Sequence, residues 1–198
     1  MSGRFRLQPL LLGPLGLLLY LGSGREIAAI LLPVLVHELG HVAALRLLGL
    51  RIRCFRAELR GFCMEYYGEC GAVGHALAAA AGPAAGCLWA IAASILGRRL
   101  DWLNLSAGVS LLLSIFNLLP ALPLDGGRIL LTLSCAFLGE RRGARLTESC
   151  SLAVGCLLLS LGVWLMLRGR GIALLTAAVW LLGYQESGRG LVKRPEMI

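Results

Sequence analysis

The chain has 198 residues, of which 58% are hydrophobic and 15% are charged, and its formal net charge is +8. This composition, with a mean hydropathy of +0.78, excludes an ordinary soluble domain, in which roughly 25% of residues are charged. It predicts an integral membrane protein. Most arginines lie between apolar runs, so we expect cytoplasmic anchoring at the lipid bilayer and no nucleic-acid partner.

Apolar runs define the expected membrane spans in chain order. Residues 7–22 follow two arginines, as the apolar region of a signal peptide does, but no convincing cleavage site comes after them. We therefore expect a retained first span. The second span covers residues 26–49. The third covers residues 73–97, which are rich in Ala and Gly and hold Gly82-Pro83 at their middle, and such small residues permit close helix approach.

Residues 51–71, between the second and third spans, are polar. Their side chains alternate in period two on either side of Gly61, which predicts a short interfacial β-hairpin. The edge of this hairpin could pair with an unwound segment of another protein by β-addition; alternatively, the arginines of the loop bind acidic lipid headgroups. Cys63, Cys70 and His75 could be drawn as a second metal site, but their spacing fits no common zinc pattern.

The next apolar run, residues 103–138, is too long for one straight crossing. Its 36 residues at about 1.5 Å each exceed a hydrocarbon core of ~30 Å. Pro120 and Pro123 break the run just before Asp125. If the run makes one broken crossing, twelve arginines and lysines lie on one side of the membrane and five on the other. Two crossings largely remove this bias, so the positive-inside rule favours one.

Residues 150–167 and 171–184 complete the set of spans. We therefore predict an all-α integral membrane protein of about six transmembrane helices, with the fourth broken by Pro and Gly and the hairpin after helix two. Both termini would be cytoplasmic. No repeat or linker divides the sequence, so residues 1–198 would form a single polytopic domain with a short cytoplasmic tail, residues 185–198.

The second span contains the sequence His37-Glu38-Leu39-Gly40-His41. Ionisable groups at membrane depth usually mark function. On a helix, the two histidines lie one turn apart on the same face, which is how two imidazoles reach one zinc ion, and Glu38 beside them could activate a water. The motif is short, however, and the histidines could instead be structural or belong to an ion path.

A catalytic zinc ion needs three protein ligands. Asp125 is the only Asp or Glu within the later apolar runs. The prolines before it and the glycines after it predict an unwound stretch, which a membrane tolerates only where the backbone is buried or lines a polar cavity. Asp125 could alternatively cap the helix that begins near Gly126. The motif and the carboxylate together favour a metalloenzyme.

HELGH in an early span followed by NLLPALPLDGGR, residues 117–128, in a later one resembles the site-2 protease family of intramembrane zinc metalloproteases, peptidase family M50. The resemblance covers residues 7–184. It implies that zinc (Zn2+) is bound by His37, His41 and Asp125 and that Glu38 is the general base and acid. It also implies that Asn117 helps to hold the substrate or the oxyanion.

The resemblance further implies a metalloendopeptidase that cleaves a membrane-embedded or membrane-associated regulatory protein in a bacterial cell membrane. The sequence corresponds to the minimal core of the family and is most similar to the sporulation stage IV FB type, which processes a pro-sigma factor. An anti-sigma factor is the other expected substrate class. That type commonly carries a nucleotide-sensing CBS domain after its last span, for which the tail is too short. Regulatory membrane partners and the oligomeric state stay open.

Two other functions fit part of the pattern. A metal transporter also places His and Asp in its spans, but it leaves Glu38 without a task. A catalytically idle membrane scaffold would not need the intact HELGH motif or the Asp125-Gly126 pair.

Overall fold

The computed structural model describes residues 4–7, 23–58, 61–68, 70–169 and 172–188. Its helices are α1 (Gly24–Leu47), α2 (Ala72–Leu96), α3 (Trp102–Asn117), α4 (Asp125–Leu138), α5 (Glu140–Leu167) and α6 (Ile172–Gly188). Its strands are β1 (Arg4–Leu7), β2 (Arg51–Glu58) and β3 (Gly61–Tyr67). Residues 8–22, nearly all of the expected first span, lie outside the described residues.

Three of these helices, α1, α2 and α5, are long and apolar enough to cross a membrane, and α3 and Ile172–Gln185 are shorter apolar helices. Large apolar side chains point outward from them: Leu35, Leu88 and Leu112 are 55%, 69% and 70% exposed. Such faces suit lipid rather than water. The helices therefore suggest a membrane protein, while six crossings and cytoplasmic termini stay predictions.

The strands form one sheet in the order β1-β2-β3. β1 pairs in parallel with β2, and β2 pairs antiparallel with β3, with a register irregularity between Ile52 and Cys54. The antiparallel pair occupies the part of the chain for which the sequence predicts a hairpin, and its expected place at the membrane surface stays a prediction. Strand β1 is not among the predicted elements, because its pairing depends on residues far along the chain.

The chain forms two compact units, with the boundary after Leu118. In the first unit, α1, α2 and α3 pack against one another. In the second, α5 packs against both α4 and α6. The expected fourth span appears as two helices, α3 and α4, and the residues between them, 118–124, contain Pro120 and Pro123. The predicted break therefore lies where the prolines remove backbone donors.

Hydroxyl groups line the contact between α2 and α3. Ser106, Ser110 and Ser114 recur every four residues on α3, and each is fully buried. The Oγ of Ser110 donates to the carbonyl oxygen of Gly86 at 2.8 Å, and the Nε1 of Trp89 donates to the Oγ of Ser106 at 3.0 Å. Small residues and interhelical hydrogen bonds are what hold helices together in lipid.

Helices α4 and α5 approach each other closely at Gly143. A Cβ added there would lie 2.6 Å from the Cα of Cys135 and from the carbonyl carbon of Ser134. Gly143→Ala should therefore lower the free energy of unfolding by about 1–3 kcal/mol, measured by thermal unfolding in detergent. Gly108→Ala is the control, since that helical glycine has nothing within 4 Å of an added Cβ. Equal stability of the two variants would contradict the close packing.

Candidate metal centre

Helix α1 places its two histidines on one buried face. The buried residues of this helix are Ala29, Pro33, His37, His41 and Leu45, which recur every four positions. His37 and His41 are 4% and 6% exposed, whereas Leu35 and Leu39 are more than half exposed, at 55% and 53%. The helical period thus turns both imidazoles toward the protein and the leucines outward.

The ring of His41 is oriented by a backbone carbonyl. Its Nδ1 lies 2.8 Å from the carbonyl oxygen of Ala78 on α2, and a carbonyl only accepts, so we assign the hydrogen to Nδ1. In the neutral tautomer, Nε2 then carries the lone pair that a metal needs. Histidines that bind metals usually donate their other ring N–H to a carbonyl, a carboxylate or water, which fixes the direction of the ring.

The two Nε2 atoms, of His37 and His41, lie 3.2 Å apart. The rings meet edge to face, with centroids 4.9 Å apart and planes at 82°. Two zinc–nitrogen bonds of about 2.0–2.1 Å at a tetrahedral angle separate the nitrogens by about 3.3 Å. The spacing of the imidazoles therefore fits two ligands of one zinc ion.

Gly82, one turn after Ala78 on α2, leaves the space that the His41 ring fills. A Cβ added to Gly82 would overlap the Nε2 of His41 and lie 2.5 Å from its Cε1. Both Gly82 and Pro83 are buried, and α2 runs through them without a break. Sequence reasoning assigned Gly82 and its neighbours to helix packing in general and missed the contact of Gly82 with a candidate ligand. One signal was available: a metal-binding histidine needs an acceptor for its second ring nitrogen, which indicates that a neighbouring helix must pack closely against the ring.

The other two predicted residues of this unit lie on α1 and α3. Glu38, beside His37 in the chain, is half-buried. Asn117 is the last residue of α3 and is partly buried, and its Nδ2 donates to the carbonyl oxygen of Leu113 at 3.0 Å. The side chain of Asn117 is therefore held by its own helix. In the alternative metal site of Cys63, Cys70 and His75, the side chain of Cys63 lies outside the part of the chain that the structure describes.

In the second unit, Asp125 is the first residue of α4 and is only 5% exposed. The N-cap position belongs to Leu124, which has an extended backbone and makes no side-chain cap hydrogen bond. The alternative that Asp125 caps the helix is therefore wrong, because Asp125 already lies inside it. Its Oδ1 lies 3.8 Å from the Nη1 of Arg128, one turn later.

His37, His41 and Asp125 are each buried, and each offers a ligand atom to a metal ion. Two imidazole nitrogens and one carboxylate oxygen make up a ligand set that catalytic zinc sites use, with a fourth position left for water or substrate. The chemistry of this set therefore fits zinc.

Comparison with known proteins agrees with this chemistry. Residues 98–161 match the model of Peptidase family M50. Rip3 of Mycobacterium tuberculosis, named as a zinc metalloprotease, is 32% identical over 177 residues, which cover 81% of this chain and 43% of Rip3. The protein sll0528 of Synechocystis sp., named in the same way, is 29% identical over 138 residues, 65% of this chain and 36% of that protein. The chain thus spans about two fifths of the length of these curated relatives.

A solved structure of a site-2 protease from Methanocaldococcus jannaschii superposes on the chain with a TM-score of 0.70. The match covers 94% of this chain and 91% of that one, at 21% sequence identity. At this identity the likeness shows a shared fold. None of these findings bears on the sporulation subtype. The family match and the relatives make the chain similar to proteins named as zinc metalloproteases and to peptidase family M50, and its fold is shared with a site-2 protease.

Proposed function

We propose that the chain is a zinc metalloendopeptidase that cleaves a peptide bond within or near a membrane segment of another protein. The observation that carries the proposal is the pair of buried imidazoles in apolar helix α1, whose Nε2 atoms lie 3.2 Å apart. Polar groups in such a helix are energetically costly, so their presence usually marks a function. When bound, zinc would polarise the scissile carbonyl and make water nucleophilic at neutral pH.

Each site residue then has a distinct task. His37, His41 and Asp125 hold the metal. The Glu38 carboxylate takes the proton of the attacking water and later passes it to the leaving nitrogen. Asn117 holds the substrate or the oxyanion: its side-chain amide has two hydrogens, of which one is engaged by Leu113, so the second is available to a substrate oxygen.

The substrate we propose is a membrane-embedded or membrane-associated regulatory protein, such as a sigma-factor precursor or an anti-sigma factor. A membrane-spanning helix of the substrate must unwind into an extended segment before a peptide bond in it can be cleaved. The edge of β3 is our candidate for pairing with that segment. The enzyme would lie in a bacterial cell membrane, with six spans and both termini in the cytoplasm. The transporter alternative is less favoured because it gives Glu38 no role and because the relatives are named as proteases.

Zinc content tests this proposal directly. Purified wild type should bind about one zinc ion per chain, and His37→Ala should bind it at least about tenfold more weakly and lose cleavage of a co-expressed single-span substrate. His75→Ala is the matched control, since His75 lies on α2 outside the proposed ligand set. Wild-type zinc content in His37→Ala would contradict the proposal. Metal uptake that requires His37, without proteolysis, would establish the transporter instead.

A further inference from the structure

The loop before Asp125 determines where α4 starts. This loop, residues 119–124, belongs to the same compact unit as α4 and α5. Its Leu124 N–H donates to the carbonyl oxygen of Ala121 at 2.9 Å. A Cβ added to Gly127, in the first turn of α4, would lie 2.5 Å from the oxygen of Ala121 and from the nitrogen of Leu122. The loop therefore lies directly on the turn that carries Asp125, and a shift of one moves the other.

Helix α5 contacts this loop through the hydroxyl group of Ser151. The N–H of Leu122 donates to the Oγ of Ser151 at 3.0 Å, and the Oγ of Ser151 donates to the carbonyl oxygen of Thr147 at 2.7 Å. Ser151 is 1% exposed. A hydroxyl can donate once and still accept, so both bonds form together. Loss of this acceptor would leave a partly buried backbone N–H without its hydrogen bond, which destabilises the loop in this position.

Helix α5 is itself fixed to α4, four residues before Ser151. The Oγ of Ser134 on α4 lies 3.3 Å from the Oγ1 of Thr147 and donates to the carbonyl oxygen of Gly143 at 3.2 Å. Both Ser134 and Thr147 are buried. Ser151 therefore lies on a helix that is hydrogen-bonded to α4, and its bond to Leu122 fixes the loop relative to the packed pair of helices α4 and α5.

We infer that Ser151 is a positioning residue for the proposed zinc ligand Asp125. By accepting the N–H of Leu122, it holds the loop against the first turn of α4 and so sets the direction of the Asp125 carboxylate. The inference rests on the proposed function of Asp125. It assigns a role at the metal centre to a residue on a helix that contributes no ligand.

Ser151→Ala and Ser160→Ala provide a matched test. Ser160 lies on the same helix and also donates to a carbonyl one turn back, that of Cys156 at 2.9 Å, but it is exposed, whereas Ser151 is buried and accepts the N–H of Leu122. In metal-free protein, hydrogen–deuterium exchange of residues 119–125 should be faster in Ser151→Ala and unchanged in Ser160→Ala. The zinc affinity of Ser151→Ala should fall about tenfold, and that of Ser160→Ala should equal wild type.

Ser151→Cys separates packing from hydrogen bonding. Sulfur fills nearly the same space but is a weak acceptor, so this variant should keep its fold and still bind zinc more weakly than wild type. Faster exchange with unchanged zinc affinity would overturn the inference, because Ser151 would then be only structural. Unchanged exchange would overturn it as well. Neither result touches the proposed function, which instead fails if zinc binding by the wild type does not depend on His37.

Discussion

Glu38→Gln should lower the rate of substrate cleavage by about 10²- to 10⁴-fold, the usual contribution of a general acid–base group, while the protein keeps its zinc. Gln has nearly the shape of Glu and still forms hydrogen bonds, but it cannot take a proton from water. Glu38 is half-buried and follows His37 on α1, so we expect the substitution to alter only the surroundings of this side chain. The measurement is cleavage of a reconstituted single-span substrate, with zinc content determined on the same sample.

Glu26→Gln is the matched control for this experiment. Glu26 lies on the same helix, and its Oε2 accepts the N–H of Ser23 at 2.8 Å in a capping box. Because Gln serves equally well in a capping box, this variant should cleave at the wild-type rate. Cleavage that persists in Glu38→Gln would rule out the proposed proton transfer, and loss of zinc in that variant would show that Glu38 acts through the metal ligands.

Gly82→Ala should weaken zinc binding markedly. The added methyl group would occupy the space of the His41 ring, 2.5 Å from its Cε1, so the ring must turn away and break its bond to the Ala78 carbonyl oxygen. Changes in the shell around metal ligands typically weaken metal affinity 10- to 100-fold, and here we expect at least about tenfold. Zinc affinity, measured by competition with a chelating dye, and substrate cleavage should fall together.

The control for Gly82→Ala is Gly108→Ala, which introduces the same methyl group into a helix of the same compact unit with nothing within 4 Å of it. Gly108→Ala should retain both zinc affinity and cleavage. If Gly82→Ala also retained wild-type zinc affinity, the ring of His41 would not need this space, and the assigned orientation of the ligand would be wrong.

Local sequence patterns predict the main helices and the helix face on which the two histidines lie. Hydropathy is a property of each segment alone, so the apolar runs identify α1, α2 and α5. Prolines act on their own backbone, so the break between α3 and α4 is also predictable. The spacing of His37 and His41 needs only the helical period to place them on one face.

Contacts between distant parts of the chain could not be predicted in this way. The carbonyl of Ala78 lies 37 residues from His41, and the hydroxyl of Ser151 lies 29 residues from Leu122. A backbone carbonyl belongs to every residue, and one buried serine resembles any other, so neither leaves a pattern in the sequence. The same holds for β1, whose pairing depends on a partner strand about fifty residues away.

The hydrogen bond from His41 to Ala78 has a consequence for how the protein is made. Because α1 precedes α2 in the chain, a newly synthesised α1 has both histidines before the acceptor that orients one of them exists. Helices of membrane proteins are inserted first and associate afterwards. The ring of His41 is thus held in its metal-binding tautomer and direction only once α2 packs beside it. Zinc loading would therefore follow helix association during biogenesis, and an isolated α1 would hold the metal poorly despite carrying the complete motif.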